Sequence, residues 1–384
     1  MKEYKIVLGS TFGDEGKGAT VQWLCQKALN EHRKPCVIRF SGGPQAGHTI
    51  RHNGIEHICS SFGSGVLLGI PTLYISCAMW DPISLLKEKQ VLESNNCTPE
   101  VINLQGKFVI TPYDVIANQT CEKTLRDGTC GKGIWEAYKR MSCGVYSNNP
   151  HTIIHRCAMY HKIKNRELTL EQNFIDSYNE CMDTFKVIPW TNIADLDFDV
   201  FIFEGTQGLL LDSVFGFLPH VTATSVGLVN ILQSAFFNPL SPISHPKVDL
   251  YLVTRTYTTR HGNGYDPKYP ITIPNWKNES NVCNEFQGRF KTGLLEVPLI
   301  QRAIDRQNLA NDCKRNNISP HLVVTHVDLI ESGNINMCYT NSGLQKFSSM
   351  DDALELLIDE LDSYLPIEHV YYSDNPDSNF KVFI

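Results

Sequence analysis

A glycine-rich segment, Gly9-Ser-Thr-Phe-Gly-Asp-Glu-Gly-Lys-Gly18, joins the apolar run Tyr4–Leu8 to an amphipathic stretch from Lys17 to His32. Glycines at such a junction let the backbone approach a ligand and present its N–H groups. The following helix N-terminus favours an anion, and Lys17 adds a mobile positive charge. The N-terminal part of the chain is therefore held to a strand–loop–helix unit. The loop is not a Walker A motif, because Thr11 stands where that pattern needs a glycine, and it is not GxGxxG. An ordinary glycine-rich turn would need no carboxylate. Asp14 lies inside this one, and a carboxylate repels phosphate unless it holds Mg²⁺ or moves a proton. Its presence points to chemistry.

The same alternation continues along the chain. Short apolar runs at Cys36–Phe40, Lys107–Thr111, Asp199–Phe203, Asp249–Thr254 and His321–Thr325 are bounded by Gly, Pro, Asn or Asp, as strands are. Helical spacing covers Pro82–Glu93, Glu296–Ala310 and Met350–Leu361. Strands alternating with helices predict an α/β fold with a mostly parallel central sheet flanked by helices. Residues 1–384 are read as a single domain, with loop excursions near 236–248 and 262–283 around the Pro-rich stretches Asn238–Pro246 and Tyr265–Asn275.

Composition narrows the partners. The net charge of −7 lacks the basic excess of a nucleic-acid-binding surface, while a local positive pocket remains compatible with it. The 13 cysteines are odd in number, scattered, and without CxxC or zinc-type spacing, so free, mostly buried thiols are expected. No apolar run reaches the roughly 20 residues that span a bilayer, and MKEYKIVLGS has no secretory character. A cytoplasmic protein without membrane contact is the expectation.

A set of further motifs follows the first loop. Gly13–Gly18 (GDEGKG) is succeeded by Ala46–Thr49 (AGHT), Gly128–Ile134 (GTCGKGI) and Phe203–Asp212 (FEGTQGLLLD). Then come Pro219–Ser225 (PHVTATS), Thr258–Gly264 (TTRHGNG), Asn284–Arg289 (NEFQGR) and Thr325–Asp328 (THVD). In content and order these resemble the adenylosuccinate synthetase family, whose fold is related to that of the P-loop NTPases. The resemblance implies a Mg²⁺-requiring ligase that moves the γ-phosphoryl of GTP to O6 of IMP, after which the amine of aspartate displaces it. It also implies a homodimer.

Carried over residue by residue, the resemblance gives catalytic roles to Asp14 (base), His48 (acid), Lys17 and Gln207. An imidazole suits the acid role because it holds either protonation state near neutrality. Metal ligands would be the Asp14 carboxylate and the Gly47 carbonyl. GTP would meet Gly13, Glu15, Gly16, Lys17, Gly18, Gly47, Thr49, Lys291, His326, Asp328 and Ser373. Asp328 would read guanine, since a carboxylate accepts from both N1–H and the 2-amino group. The purine nucleotide would meet Asp14, Gln45, Thr129, Cys130, Gln207, Thr222, His261, Arg289 and Arg140, and Arg289 would also meet the amino acid.

The departures from the family pattern gather on the acceptor side. The amino-acid loop, here EFQGRFKTG, is shortened and lacks paired threonines. Cys130 replaces a phosphate-binding Thr, and a thiol is a weaker donor. Gln45 replaces Asn, and His261 replaces a small apolar residue. Arg140 is the nearest counterpart of the Arg that crosses the dimer interface. Alternatives are a sister ligase acting on another 6-oxopurine nucleotide such as dGMP, or on another amine, and an inactive GTP-binding regulator. Asp14 favours IMP, and the acid–base pair disfavours the regulator.

Overall fold

The structure, a computed structural model, describes residues 2–75, 77–102, 108–188, 196–237, 247–273, 281 and 286–384. In chain order the strands are β1 (Glu3–Gly9), β2 (Pro35–Arg39), β3 (His48–His52), β4 (Ile55–Cys59) and β5 (Thr72–Tyr74). They continue with β6 (Val101–Ile102), β7 (Val200–Gly208), β8 (Lys247–Arg255), β9 (Tyr257–His261) and β10 (Phe290–Leu294). The last are β11 (Ile318–Thr325), β12 (Met337–Thr340), β13 (Gly343–Lys346), β14 (His369–Ser373) and β15 (Lys381–Val382).

Nine of these form one sheet in the order β15-β14-β11-β8-β1-β7-β2-β5-β6. Its pairings are parallel except for β14 with β15. The first strand lies inside the sheet between β7 and β8, which explains why Tyr4–Leu8 is apolar at every position but Lys5. Its side chains alternate between two cores. Tyr4, Ile6 and Leu8 join the one that also takes Ile300, Ile304 and Leu354 from the helices Val297–Arg306 and Met350–Asp362. Val7 joins Val21, Leu24 and Cys25 of the helix Lys17–Asn30 on the other face. The parallel, doubly covered sheet matches the expected fold class. Among the described residues every cysteine is a free thiol.

Some boundaries differ from the sequence reading. The stretch Glu296–Ala310 is two helices, Val297–Arg306 and Leu309–Asn316, because Asn308 turns left-handed at φ 54. Lys107 lies outside the described residues. The rest of that predicted strand makes only a bridge from Val109 to Trp80 before Thr111 caps the helix Pro112–Thr120. The Pro-rich stretch Asn238–Pro246, Pro274 and Asn275 of the second such stretch, and Asn284 and Glu285 of the NEFQGR motif also lie outside the described residues.

Arg140 requires a correction. The expectation sends it to a nucleotide phosphate, but its side chain is fully buried in an ion pair with Asp114. The guanidinium donates to Asp114 Oδ1 at 2.9 Å and to the Val109 carbonyl at 2.8 Å, and His161 Nε2 lies 2.9 Å from the same carboxylate oxygen. Burial alone would raise the Asp114 carboxyl, yet His161 and Arg140 hold it at about 2. Removing one member of a buried pair strands the other, so Arg140→Ala should lose roughly 3–5 kcal/mol in urea unfolding at neutral pH. A carboxyl depressed in the fold contributes its stability above its ordinary 3.8 and loses it as pH falls towards about 2. The gap between parent and variant should therefore narrow across that acid window. An unchanged urea midpoint would contradict the scaffold role.

Candidate active site

The carboxyl ends of β1, β7, β8, β11 and β14 open on one cavity of about 850 Å³, where an open parallel sheet places its ligand. The first loop forms its floor. Glu15 fixes the loop's shape: its buried carboxylate accepts from the Thr11 and Gly13 amides at 3.0 and 2.8 Å. Lys17 Nζ donates to its other oxygen at 3.0 Å. Burial works against ionisation here, but Lys17 and the two amides hold the Glu15 carboxyl below its ordinary value. Lys17 is thus already oriented and charged-paired beneath the cavity. The end of β7 packs under the loop so closely that a Cβ on Gly208 would lie 2.3 Å from the Thr11 carbonyl.

Asp14 sits half-buried on the cavity wall with φ 60. Its carbonyl accepts from Arg255 Nε at the end of β8. Burial pushes the Asp14 carboxyl above its ordinary value, with Arg255 and Lys17 opposing and Glu15 assisting. A raised carboxyl in a ligand cavity is the environment a general base needs.

His48 begins β3, opposite the first helix, and is buried. Its Nδ1 lies 2.5 Å from Glu204 Oε1. Ser64 donates to the same carboxylate from its hydroxyl and, at 3.0 Å, from its amide. Burial favours a neutral Glu204, but His48, Arg39 and Ser64 together hold it at about 2. Burial also lowers His48, against the pull of Glu204. In the arrangement these groups support, Glu204 is ionised and accepts the Nδ1 proton. His48 Nε2 is left buried without a partner among the described residues, on a residue that lines the cavity. A carboxylate that fixes one imidazole nitrogen and leaves the other bare makes a proton-transfer dyad.

The cavity brings together Asp14, Glu15, Gly16, Lys17, Gly18, Gln45, Gly47, His48, Thr49, Gln207, His261, His326, Asp328 and Ser373. Gly13 lies just beneath, its carbonyl accepting from Thr259 Oγ1 at 2.9 Å. At the β11 side, burial drives His326 well below its ordinary range, with Arg255 adding to it. Asp328 is exposed overall, yet partial burial of its carboxyl raises it, helped by Asp374 and Glu331.

The other expected residues do not line this cavity. Thr129 Oγ1 donates to Asn118 Oδ1 at 2.8 Å, and neighbouring Cys130 has its thiol raised by burial. Thr222 hydrogen-bonds through its amide to the Leu211 carbonyl at 2.7 Å. Arg289 is exposed, and Lys291 pairs with Asp266 at 2.5 Å beside a separate cleft. Conversely, Glu204, Arg255 and Arg260 carry the site without having been singled out. A carboxylate ending the apolar run Val200–Phe203 was a readable sign, because a charge there needs a partner.

Fold and cavity together define a parallel α/β protein with a glycine-rich first loop on the cavity floor and a carboxylate–imidazole dyad beside it. The chain belongs to the adenylosuccinate synthetase family, whose model, "Adenylosuccinate synthetase", matches residues 6–268. That makes it a ligase of purine biosynthesis. It is 24% identical to the adenylosuccinate synthetase of Borrelia recurrentis over 98% of this chain and 88% of the relative. With that of Psychrobacter arcticus identity is 30% over 68% of this chain and 64% of the relative.

Solved structures agree on the fold. The fully ligated adenylosuccinate synthetase of Plasmodium falciparum superposes with a TM-score of 0.72 at 17% identity, covering 99% of both chains. Cyanophage S-2L succinoaminodeoxyadenylate synthetase (PurZ), solved with dGMP and with dATP as an energy donor, gives 0.67 at 15% identity. That match covers 100% of this chain and 95% of the phage protein. Among the described residues no helix is long and apolar enough to cross a membrane.

Proposed function

We propose that the protein forms adenylosuccinate from IMP and aspartate with GTP as phosphoryl donor. The observation that carries this reading is the buried Nε2 of His48, unpartnered among the described residues, on the same cavity as Asp14 and Lys17. Asp14 takes the N1 proton of the 6-oxopurine, so that negative charge grows on O6. His48 Nε2 takes up a proton from water as the anionic phosphates bind beside it, and the imidazolium, oriented by Glu204, donates that proton at O6 and the transferring phosphoryl oxygens. Lys17 and the loop amides neutralise charge on those oxygens.

The donor set fits Mg²⁺. Asp14 and the Gly47 carbonyl are hard oxygens on the cavity, and among the described residues no group of three or more His, Cys, Asp or Glu includes Asp14. Mg²⁺ is commonly held by one or two protein oxygens together with substrate phosphates. When bound there it would neutralise phosphate charge. The protein is proposed to work as a cytoplasmic homodimer, as the family resemblance implies.

A second reading takes a 2-amino-6-oxopurine nucleotide such as dGMP as acceptor. His261 favours it: its Nε2 is buried without a partner among the described residues, on a residue lining the cavity, and it could accept from an exocyclic amine. Mixing the protein with Mg²⁺, GTP or ATP, and IMP or dGMP, crossed with aspartate and other amines, separates these readings. Turnover of IMP and aspartate with GTP supports the first. Turnover of dGMP alone supports the second, and nucleotide binding without turnover of any pair would sink both.

Asp328 is the proposed guanine reader. Losing a charge-assisted hydrogen bond costs about 1.5–3 kcal/mol. Asp328→Asn should therefore raise KM for GTP by roughly 10- to 100-fold while kcat changes little. An unaltered preference for GTP over ATP would remove that assignment.

A further inference from the structure

On the sheet face covered by the helix Lys17–Asn30, remote from the cavity lining, β11 and β14 place two histidines side by side. His321 pairs in parallel register with His369, and their ring centroids are 5.2 Å apart. His321 is 4% exposed, and its Nε2 lies 3.5 Å from Asp249 Oδ1 on the neighbouring β8. Its Nδ1 is buried and has no partner among the described residues. One ligand atom from each of His321, Glu368 and His369 lies within 4.8 Å of the others. Glu368 is tethered to β11 by its amide, which donates to the Pro320 carbonyl at 2.9 Å.

Among the described residues, two other side-chain groups of ligating type have their carboxylates committed. Asp114, beside Cys157 and His161, is consumed by Arg140 and His161. Glu88, beside His57 and Cys59, caps the Ser60 and Ser61 amides. At His321 a lone pair remains unspent, and the carboxylate behind the ring is the usual orienter of a metal-bound imidazole. Two imidazoles and one carboxylate suit a borderline cation with nitrogen ligands near 2.0–2.1 Å, which is Zn²⁺ chemistry and not that of Mg²⁺. Glu368 and His369 are exposed and free to swing the short distance that closure requires. Lys5 and Lys247, the nearby cations, are paired to Asp249.

We propose that His321, Glu368 and His369 form a Zn²⁺ site bridging β11 and β14, with Asp249 as the positioning residue and water as the remaining ligand. Both strands end at the cavity, in Thr325 and Ser373, so the bound ion braces the edge that carries Asp328.

The test uses the chelator-treated full chain in Mg²⁺-containing buffer, titrated with ZnCl₂ by calorimetry and followed by thermal unfolding. Expected are one Zn²⁺ per chain at this site, a rise in the thermal midpoint, and intense four-coordinate absorption when Co²⁺ is used instead. His369→Ala and Glu368→Gln alter exposed side chains, so their folds should persist. Each should weaken Zn²⁺ by at least about tenfold and abolish the thermal rise. Failure of the parent to bind Zn²⁺, or binding and thermal rise that survive intact in both variants, overturns the site.

Discussion

Asp14→Asn is expected to lower turnover by about 10²–10⁴-fold without lowering the thermal midpoint. Asparagine is the informative replacement because position 14 has φ 60, a left-handed conformation that Asn tolerates and Ala resists. It keeps the shape of the loop and removes the proton acceptor together with the negative charge that would help hold Mg²⁺. Burial raises the Asp14 carboxyl above 3.8, so the ionised form is penalised in the folded state. A group shifted in that direction contributes stability below its unfolded value and loses it as pH rises through its folded value. At neutral pH the neutral amide should therefore be at least as stable as the parent. The acid limb of kcat/KM, displaced above 3.8 in the parent because the base must be deprotonated, should vanish in the variant. Initial rates across pH, together with thermal unfolding, check all of this. Retained parental turnover would end the base assignment.

The second large effect concerns the His48–Glu204 dyad. His48→Ala should cost about 10²–10⁴-fold in kcat, the range for a lost general acid. Glu204→Gln should also reduce kcat, because the amide cannot hold the imidazole through a charge-assisted bond. The double variant should be little worse than His48→Ala alone, since the carboxylate acts only through the ring. Stability supplies an independent readout. Glu204 is held at about 2 against an ordinary 4.5, so its contribution is complete above 4.5 and fades as pH falls towards 2. Glu204→Gln should lose roughly 3–5 kcal/mol in urea at neutral pH, with the deficit shrinking in acid. Additive losses in the double variant would show that Glu204 acts on something other than His48.

Much of the sheet is legible from local pattern. Buried parallel strands need apolar residues on both faces, so Tyr4–Leu8, Asp199–Phe203 and Asp249–Thr254 stand out from their surroundings. The strands Thr72–Tyr74 and Val101–Ile102, the last two on one side of the sheet, are too short to show any period, and the helix break at Asn308 depends on one backbone angle. Within the site, Asp14 and Lys17 can be read because they share one loop whose glycines already imply an anion. Thr129, Cys130, Thr222 and Arg289 show the reverse: motif position suggested a ligand role, while folding put them away from the cavity lining.

The chain's own order of residues determined the α/β class, the strand–loop–helix unit and the carboxylate within it, because each depends on neighbours a few positions apart. Tertiary structure alone decided that Glu204 stands behind His48, that Arg255 grips the Asp14 carbonyl, and that Arg140 belongs to Asp114. Those pairings join residues 156, 241 and 26 positions apart. Separation on that scale leaves no periodicity to read. The charge of a buried side chain is set by whichever partner the fold carries to it, and that partner can come from anywhere along the chain.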